Sequence, residues 1–319
     1  MPFLRYFVSK EPAARDVMKL ARINSHPRDR LISFDEQSHA YYVLHEESDT
    51  YLKARISVSG LYGFFFEEFD KISVSRNVAK KRKTDKSSPY YWLLQTTETE
   101  EDGANAIMKA WEAVGNRAST FGTKSHLDCE MQLNSEDSDF VNDETIIPGA
   151  TQHAVAAIKW MRRQCLAKNW QPFRTEYSIF IDMREPASKD GDLFKHHDAI
   201  LCGQVDCLFK GSDDGRYIMV DFKYCASDKL DQDNGAFRGE VPKGKYPVDN
   251  IPNNSYGHYL CQQSIYGYIL KKRYDIVVSE AYLLHVATDA EDIRAKAVKL
   301  TLLPDEVIEK MFETYVKTL

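Results

Sequence analysis

The 319-residue sequence predicts an α/β fold, a central mixed β-sheet flanked by helices and preceded by an N-terminal hairpin and helical extension. Three stretches carry that expectation. Residues 200–224, ILCGQVDCLFKGSDDGRYIMVDFKY, are two apolar runs joined by a Gly/Asp/Ser-rich turn and read as a hairpin. Residues 153–168 repeat apolar positions at helical spacing. Ala154, Ala157, Ile158, Met161 and Cys165 make the buried stripe, with Lys159, Arg162 and Arg163 outside it. A second helix, NSYGHYLCQQSIYGYILKK, leads into a further strand over residues 281–287.

The other elements follow in chain order. Residues 3–25 alternate basic and apolar positions and predict one or two short helices, and LISFDEQSHAYYVLHE (31–46) predicts a hairpin. In RISVSGLYGFFFEEFD, Ser57 or Ser59 caps a helix expected to dock Leu61, Phe64, Phe65 and Phe69 on the core. Residues 76–89, RNVAKKRKTDKSSP, lack apolar periodicity and are expected as an exposed basic loop. Their KKRK run, Lys80 to Lys83, is of a kind that contacts phosphates or serves as a nuclear-import signal, and reads equally well as a solvated surface.

Residues 98–102 are acidic and loop-like. A helix over 104–114, with Ile107, Met108 and Trp111, is expected to end or kink at Gly115, and a second begins near Ala118 with His126 and Glu130 one turn apart. An acidic loop over 134–150 precedes the 153–168 helix. FRTEYSIFID then reads as a strand with Glu176 near its start. After the hairpin, residues 226–255 form a long Asp/Asn/Gly/Pro-rich loop. The next helix carries Tyr259, Gln262, Tyr266 and Ile269 along one stripe, and Pro304 opens a last helix whose apolar face is Val307, Ile308, Met311, Phe312 and Tyr315.

Composition narrows the function classes. With 43% hydrophobic and 28% charged residues the chain reads as an ordinary globular protein. No apolar run approaches the ~20 residues of a membrane span. The N-terminus lacks the pattern of a secretory signal, so an intracellular address, nuclear or cytoplasmic, is expected. Six scattered cysteines (Cys129, Cys165, Cys202, Cys207, Cys225, Cys261) form no C-x-x-C pair, so reduced thiols and no iron–sulfur cluster are expected. A net charge of −6 argues against binding nucleic acid through overall charge, while leaving room for a local basic groove.

The hairpin poses an electrostatic problem. Closing it symmetrically about Asp213 and Asp214 places Asp206 opposite Asp221. Opposed like charges destabilise a sheet, and carboxylates buried without partners are costly. A divalent cation would offset both, and Lys223 points to the same face as Asp221. The alternative is a Lys–Asp salt bridge on a solvated face, but an apolar run such as 217–220 belongs to a central strand.

The polar residues that interrupt apolar faces are, in order, His126, Glu176, Asp206, Asp221, Lys223, Gln262 and Tyr266. Their motifs are G-T-x-x-H (Gly122, Thr123, His126), a strand Glu (Glu176), G-x-V-D (Gly203 to Asp206), D-x-K (Asp221, Phe222, Lys223) and Q-x-x-x-Y (Gln262, Tyr266). In this order they resemble the PD-(D/E)XK nuclease superfamily, in its RecB-like and lambda-exonuclease-like branch, over residues 104–290. Residues 32–70 are similar to the lead-in of related nucleases of large DNA viruses and mobile elements, through a Y-x-V hairpin, the V-S-x-L helix start and the FF…FD run. Tyr224 and Cys225 after the lysine depart from the pattern. The cluster-bearing branch needs grouped cysteines, which this chain lacks.

The resemblance implies a restriction-endonuclease-like core over residues 104–319, with 1–103 as an extension packed on it. It implies a Mg²⁺- or Mn²⁺-dependent deoxyribonuclease, an exonuclease on DNA ends or single strands in replication, repair or recombination. Asp206 and Asp221 would be the central ligands of one or two ions, with His126 and the Phe222 backbone carbonyl completing one; the imidazole leans the site towards Mn²⁺. Lys223 would orient or activate the water, Glu176 would bind a second metal or position the water, and Gln262 and Tyr266 would hold the lysine or contact phosphate. Two other readings stand beside it: an RNA endonuclease of the cap-snatching type, and a non-catalytic DNA-binding protein on a nuclease fold. Exonuclease versus endonuclease action, polarity and oligomeric state stay open.

Overall fold

In the computed structural model, which describes residues 19–35, 37–45, 49–136, 139–186, 197–212, 215–224, 230, 241–289 and 292–319, the period-two stretches become strands of two sheets. The smaller is antiparallel, in the order β1 (Ile32–Asp35), β2 (Ala40–His45) and β3 (Thr50–Lys53). Its first two strands are the hairpin expected over 31–46. The larger sheet has six strands and is mixed. β5 (Trp170–Asp182) runs antiparallel to β6 (Ile200–Gly211), and β6 antiparallel to β7 (Tyr217–Lys223). β7 is parallel to β8 (Val278–Asp289), which is antiparallel to β9 (Asp292–Leu300). Short β4 (Ile56–Ser57) lies parallel to β6.

β5 occupies one edge of β6 over nearly its whole length, so the other edge is shared. β7 takes residues 207–210 of it and β4 takes 201–202, which leaves residues 203–206 laddered to neither strand on that edge. That split places the site.

The helices are α1 (Lys19–Ile23), α2 (Val58–Phe64), α3 (Lys71–Arg82), α4 (Tyr91–Gln95), α5 (Glu100–Asn134), α6 (Gln152–Lys168), α7 (Ser255–Arg273) and α8 (Asp305–Val316). Both faces of the large sheet are covered, which defines an α/β fold with a mixed sheet flanked by helices. On one face Leu61, Leu208, Met219, Ile265, Leu283, Met311 and Phe312 form a core with α2, α7 and α8. On the other, Phe209, Val220, Phe222 and Leu284 meet Cys129 and Leu133 of α5 and Ala157, Ile158 and Met161 of α6. Each fully buried side chain of this size contributes about 1.5–3 kcal/mol. α7 forms the crossover between parallel β7 and β8, as such a pair requires.

Several expectations are corrected. Ser57 caps α2, its Oγ accepting from Gly60 N at 3.2 Å, and Leu61 and Phe65 are buried. Phe64 and Phe69 are exposed, because so short a helix has one inward stripe and Phe69 lies beyond its end. The basic stretch expected as a loop is helical up to Arg82. Asp70 caps α3 at its start, cationic residues in its last turn complement the helix dipole, and apolar periodicity is missing because only Ser75 and Ala79 are buried.

α5 runs unbroken through Gly115. No atom lies within 4 Å of where a Cβ would stand there, and glycine in an exposed helix costs only about 1 kcal/mol relative to alanine. Arg162, expected on the outer face of α6, is buried, with Nε and Nη2 donating to the carbonyls of Phe140 and Thr145 at 3.0 and 2.7 Å. β3 and β9 were not expected. The turn residues Asp213 and Asp214, residues 1–18, Cys225 and most of 226–240 lie outside the described residues.

The chain divides into two compact units, residues 1–66 with 125–319, and residues 67–124, rather than at residue 103. The smaller unit has its own core of Ala79, Leu94, Ala104 and Ile107. No helix among the described residues is long and apolar enough to cross a membrane.

Candidate metal centre

Every residue of the site belongs to the larger unit. At the split in β6, a Cβ on Gly203 would stand 2.4 Å from Tyr266 Cε1 and 2.9 Å from Val58 Cγ2. Only glycine lets the ring of Tyr266 lie against the strand. Tyr266 is buried there, and its hydroxyl accepts from Gln262 Nε2 at 3.2 Å.

The β6–β7 ladder runs from Lys210 opposite Tyr217 to Cys207 opposite Val220, so the next pair in register is Asp206 and Asp221. On the other edge, the pairs Thr175–Cys207 and Tyr177–Val205 put Glu176 opposite Asp206. Three carboxylates thus stand in one row across three adjacent strands. Glu176 has a φ of 43°, the left-handed region, and the ladder lacks a pair at that step. Such a residue costs roughly 1–3 kcal/mol and is held only by its surroundings. Its carbonyl accepts from Gln204 Nε2 at 3.1 Å.

His126, in the last third of α5, faces the first two carboxylates. Its Nδ1 is 3.6 Å from Glu176 Oε1 and 3.6 Å from Asp206 Oδ2, too long for hydrogen bonds but close for charge. One ligand atom from each of these three residues lies within 4.8 Å of the others. Phe222 and Tyr224 contact the imidazole edge-to-face, at centroid distances of 5.6 and 5.5 Å. Asp206 Oδ2 accepts from Phe222 N at 2.8 Å. Burial alone would lower the pKa of His126, but Asp206 and then Glu176 outweigh it and push it up to about 9. Burial also raises Asp206, against the pull of His126 and Lys223.

Asp221 sits in different company. Its Oδ1 accepts from Gln263 Nε2 at 2.8 Å, and its Oδ2 lies 2.5 Å from Lys223 Nζ. That ammonium also stands 4.4 Å from the centroid of the Tyr259 ring, a cation–π contact. Burial pushes Asp221 up to about 6 although Lys223 pulls the other way. Burial opposes the charge on Lys223 too, but Asp221 and Asp206 more than compensate and hold it above its ordinary range.

His126, Glu176, Asp206, Asp221 and Lys223 therefore lie together in one place. Three details differ from the expectation. Among the described residues, the group whose ligand atoms could share an ion is His126, Glu176 and Asp206, with Asp221 turned towards Lys223 and Gln263. Phe222 reaches Asp206 through its N–H, which donates to Oδ2 at 2.8 Å, a contact the sequence did not suggest. Lys223 is held by Asp221 and Tyr259, while Gln262 and Tyr266 hold each other. Gln263 was missed, although it is one residue from Gln262 and one helical turn from Tyr259. One imidazole and two carboxylates fit Mg²⁺ or Mn²⁺, both of which favour oxygen ligands and tolerate a nitrogen.

No protein-family model and no curated protein matches the chain. Among solved structures, the crystal structure of SSO0001 is similar with a TM-score of 0.26 and 14% identity. That match covers 51% of this chain, and the chain spans 57% of the length of that protein. A likeness of this size carries no argument about fold or activity.

Proposed function

We propose that the protein is a Mg²⁺- or Mn²⁺-dependent deoxyribonuclease with a restriction-endonuclease-like core of the PD-(D/E)XK kind, acting on DNA ends or single strands. The observation that supports this is the row of Glu176, Asp206 and Asp221 across three strands, flanked by His126 and Lys223. Three carboxylates in a row and one left-handed residue concentrate electrostatic and backbone cost at a single place, as functional sites do.

His126, Glu176 and Asp206 would hold the cation. When bound, it would neutralise charge on the scissile phosphate and ease deprotonation of water. Lys223, kept charged by Asp221, would hold the attacking water in line and face the negative charge that grows on the phosphate oxygens. The water oxygen would form a new bond to phosphorus as its proton passes to solvent, while the bond to the 3′-oxygen breaks and that oxygen takes up a proton from water, giving a 5′-phosphate and a 3′-hydroxyl. Gln263 fixes one oxygen of Asp221 so that the other stays on Lys223.

The test is a time course on 5′- and 3′-labelled DNA, single- and double-stranded, linear and circular, with Mg²⁺, Mn²⁺ or chelator. Cleavage only with a divalent ion, lost in Asp206→Asn and Lys223→Met variants of unchanged circular dichroism, is the expected result. No cleavage of any substrate with either ion would overturn the reading. Preferential cleavage of labelled RNA would replace it with the RNA endonuclease.

A further inference from the structure

The row that contains Lys223 continues across the sheet. Lys223 of β7 pairs with His285 of β8, and His285 pairs with Lys296 of β9. Residues directly opposite one another project from the same face, as do residues two apart in one strand. Lys223, His285, Lys296 and Arg294 thus share a face. Burial agrees: Leu283 and Val298, one row earlier, belong to the core under α7 and α8, whereas Leu284 and Val286 belong to the core on the opposite face.

The line begins at the candidate site and ends at β9, the last strand of the sheet among the described residues. His285 is buried, and Lys296 and Arg294 are exposed. Among the described residues Lys296 makes no ion pair. Arg294 Nε meets Asp292 Oδ2 at 3.0 Å, but both side chains are about 70% exposed (71% and 67%) and water screens the pair. The strand is not uniformly available: Lys299, on the other face, is tied to Glu280. Nor does the line echo a basic protein, since the net charge is −6. It lies at the carboxyl end of the parallel β7–β8 pair, the end at which sheets with helical crossovers bind their ligands.

We propose that Lys296 and Arg294 seat the sugar–phosphate backbone of the DNA strand whose scissile phosphate lies at Lys223. This rests on the nuclease reading. Two strand spacings, roughly 10 Å, separate the Lys223 and Lys296 positions. At 3.4 Å of rise per nucleotide that is about three nucleotides of one strand. The backbone would leave the site past the carboxyl ends of β7 and β8, beyond buried His285, and reach β9, where Lys296 and Arg294 would neutralise its phosphates.

The test uses the full chain and a fluorescent oligonucleotide in chelator, so that nothing is cleaved, with binding measured by anisotropy over a salt series. Arg294→Glu/Lys296→Glu is expected to bind at least tenfold more weakly, with a slope of log K against log salt shallower by about 1.5–2. Lys159→Glu, an exposed charge reversal on α6 at the opposite face, is expected to bind as wild type, and Mn²⁺ binding by the double variant is expected to be unchanged in calorimetry. Equal loss in the Lys159 variant would reduce the effect to net charge and overturn the proposal. Unchanged affinity and slope in the double variant, with wild type binding and cleaving, would overturn the track and leave the nuclease standing. A wild type that neither binds nor cleaves DNA would overturn both.

Discussion

Asp206 and Asp221 are neighbours in one row of a sheet, yet one half of the site is closed and the other open. Around Asp221 the charges are settled within the protein: an ammonium on one oxygen, an amide on the other, an aromatic ring behind the lysine. Around Asp206, two carboxylates share one imidazole at distances beyond hydrogen bonding, and beside the Phe222 N–H the charge is met chiefly by a protonated ring. On the proposed reading, the first of the two opposed carboxylates would exchange its partner for an ion and the second would keep a lysine charged.

That contrast breaks first at the carboxylates. Asp206→Asn is expected to abolish Mn²⁺ binding in calorimetry and to lower cleavage by about 10³-fold or more. Asp221→Asn is expected to lower cleavage comparably while retaining measurable Mn²⁺ binding. Equal loss of the ion in both would mean that the halves are one. Lys223→Met is expected to reduce kcat by about 10²–10⁴-fold with Mn²⁺ affinity unchanged or tighter, since a competing cation has gone.

Next comes pH. Against the effect of burial, Asp206 and Glu176 push His126 up to about 9, above its ordinary 6.5, so near neutrality an ion bound on the proposed reading would have to displace its proton. Mn²⁺ affinity is expected to rise about tenfold per pH unit and to level near pH 9, with proton release visible as buffer-dependent calorimetric heat. The same shift ties stability to pH. The attraction between His126 and its carboxylates is fully present below pH 6.5 and fades as pH rises through about 9. Melting of the metal-free protein should fall over that window relative to His126→Gln. Asp221, pushed up to about 6, adds a penalty of its own that sets in as pH rises from 3.8 to about 6. The smallest effect is that of Gln263→Leu, which strips Asp221 Oδ1 of its donor at a cost of about 1–3 kcal/mol by chemical denaturation.

The sequence carried much of this where local rules are strong. The hairpin register follows from two apolar runs about one turn, and it places both aspartates correctly even though the turn itself lies outside the described residues. Gly203 was legible as part of a motif, and its reason, the ring of Tyr266, is a contact between distant parts of the chain. Gln263 was not legible, because α7 is buried on most of its circumference and its apolar residues point nowhere in particular. A stripe drawn through Tyr259, Gln262 and Tyr266 is as good as one drawn through Gln263. β9 had a signal, Ile293, Ala295 and Ala297 alternating with Arg294 and Lys296, but alanines make it faint. The helix α3 was hidden because tertiary packing buries only two of its residues.

The left-handed backbone at Glu176 carries a consequence for anyone who breeds this protein for heat resistance. Glycine fits that conformation without strain, so Glu176→Gly removes a backbone penalty and a charge that repels Asp206, and gives up one of the two carboxylates that attract His126. A library screened for thermal survival above about pH 9, where His126 has lost its charge, would therefore enrich the very substitution that empties the site of a carboxylate. Stability and catalysis would be selected in opposite directions at one residue, and variants that recover both would have to rebuild β5 around a different bend.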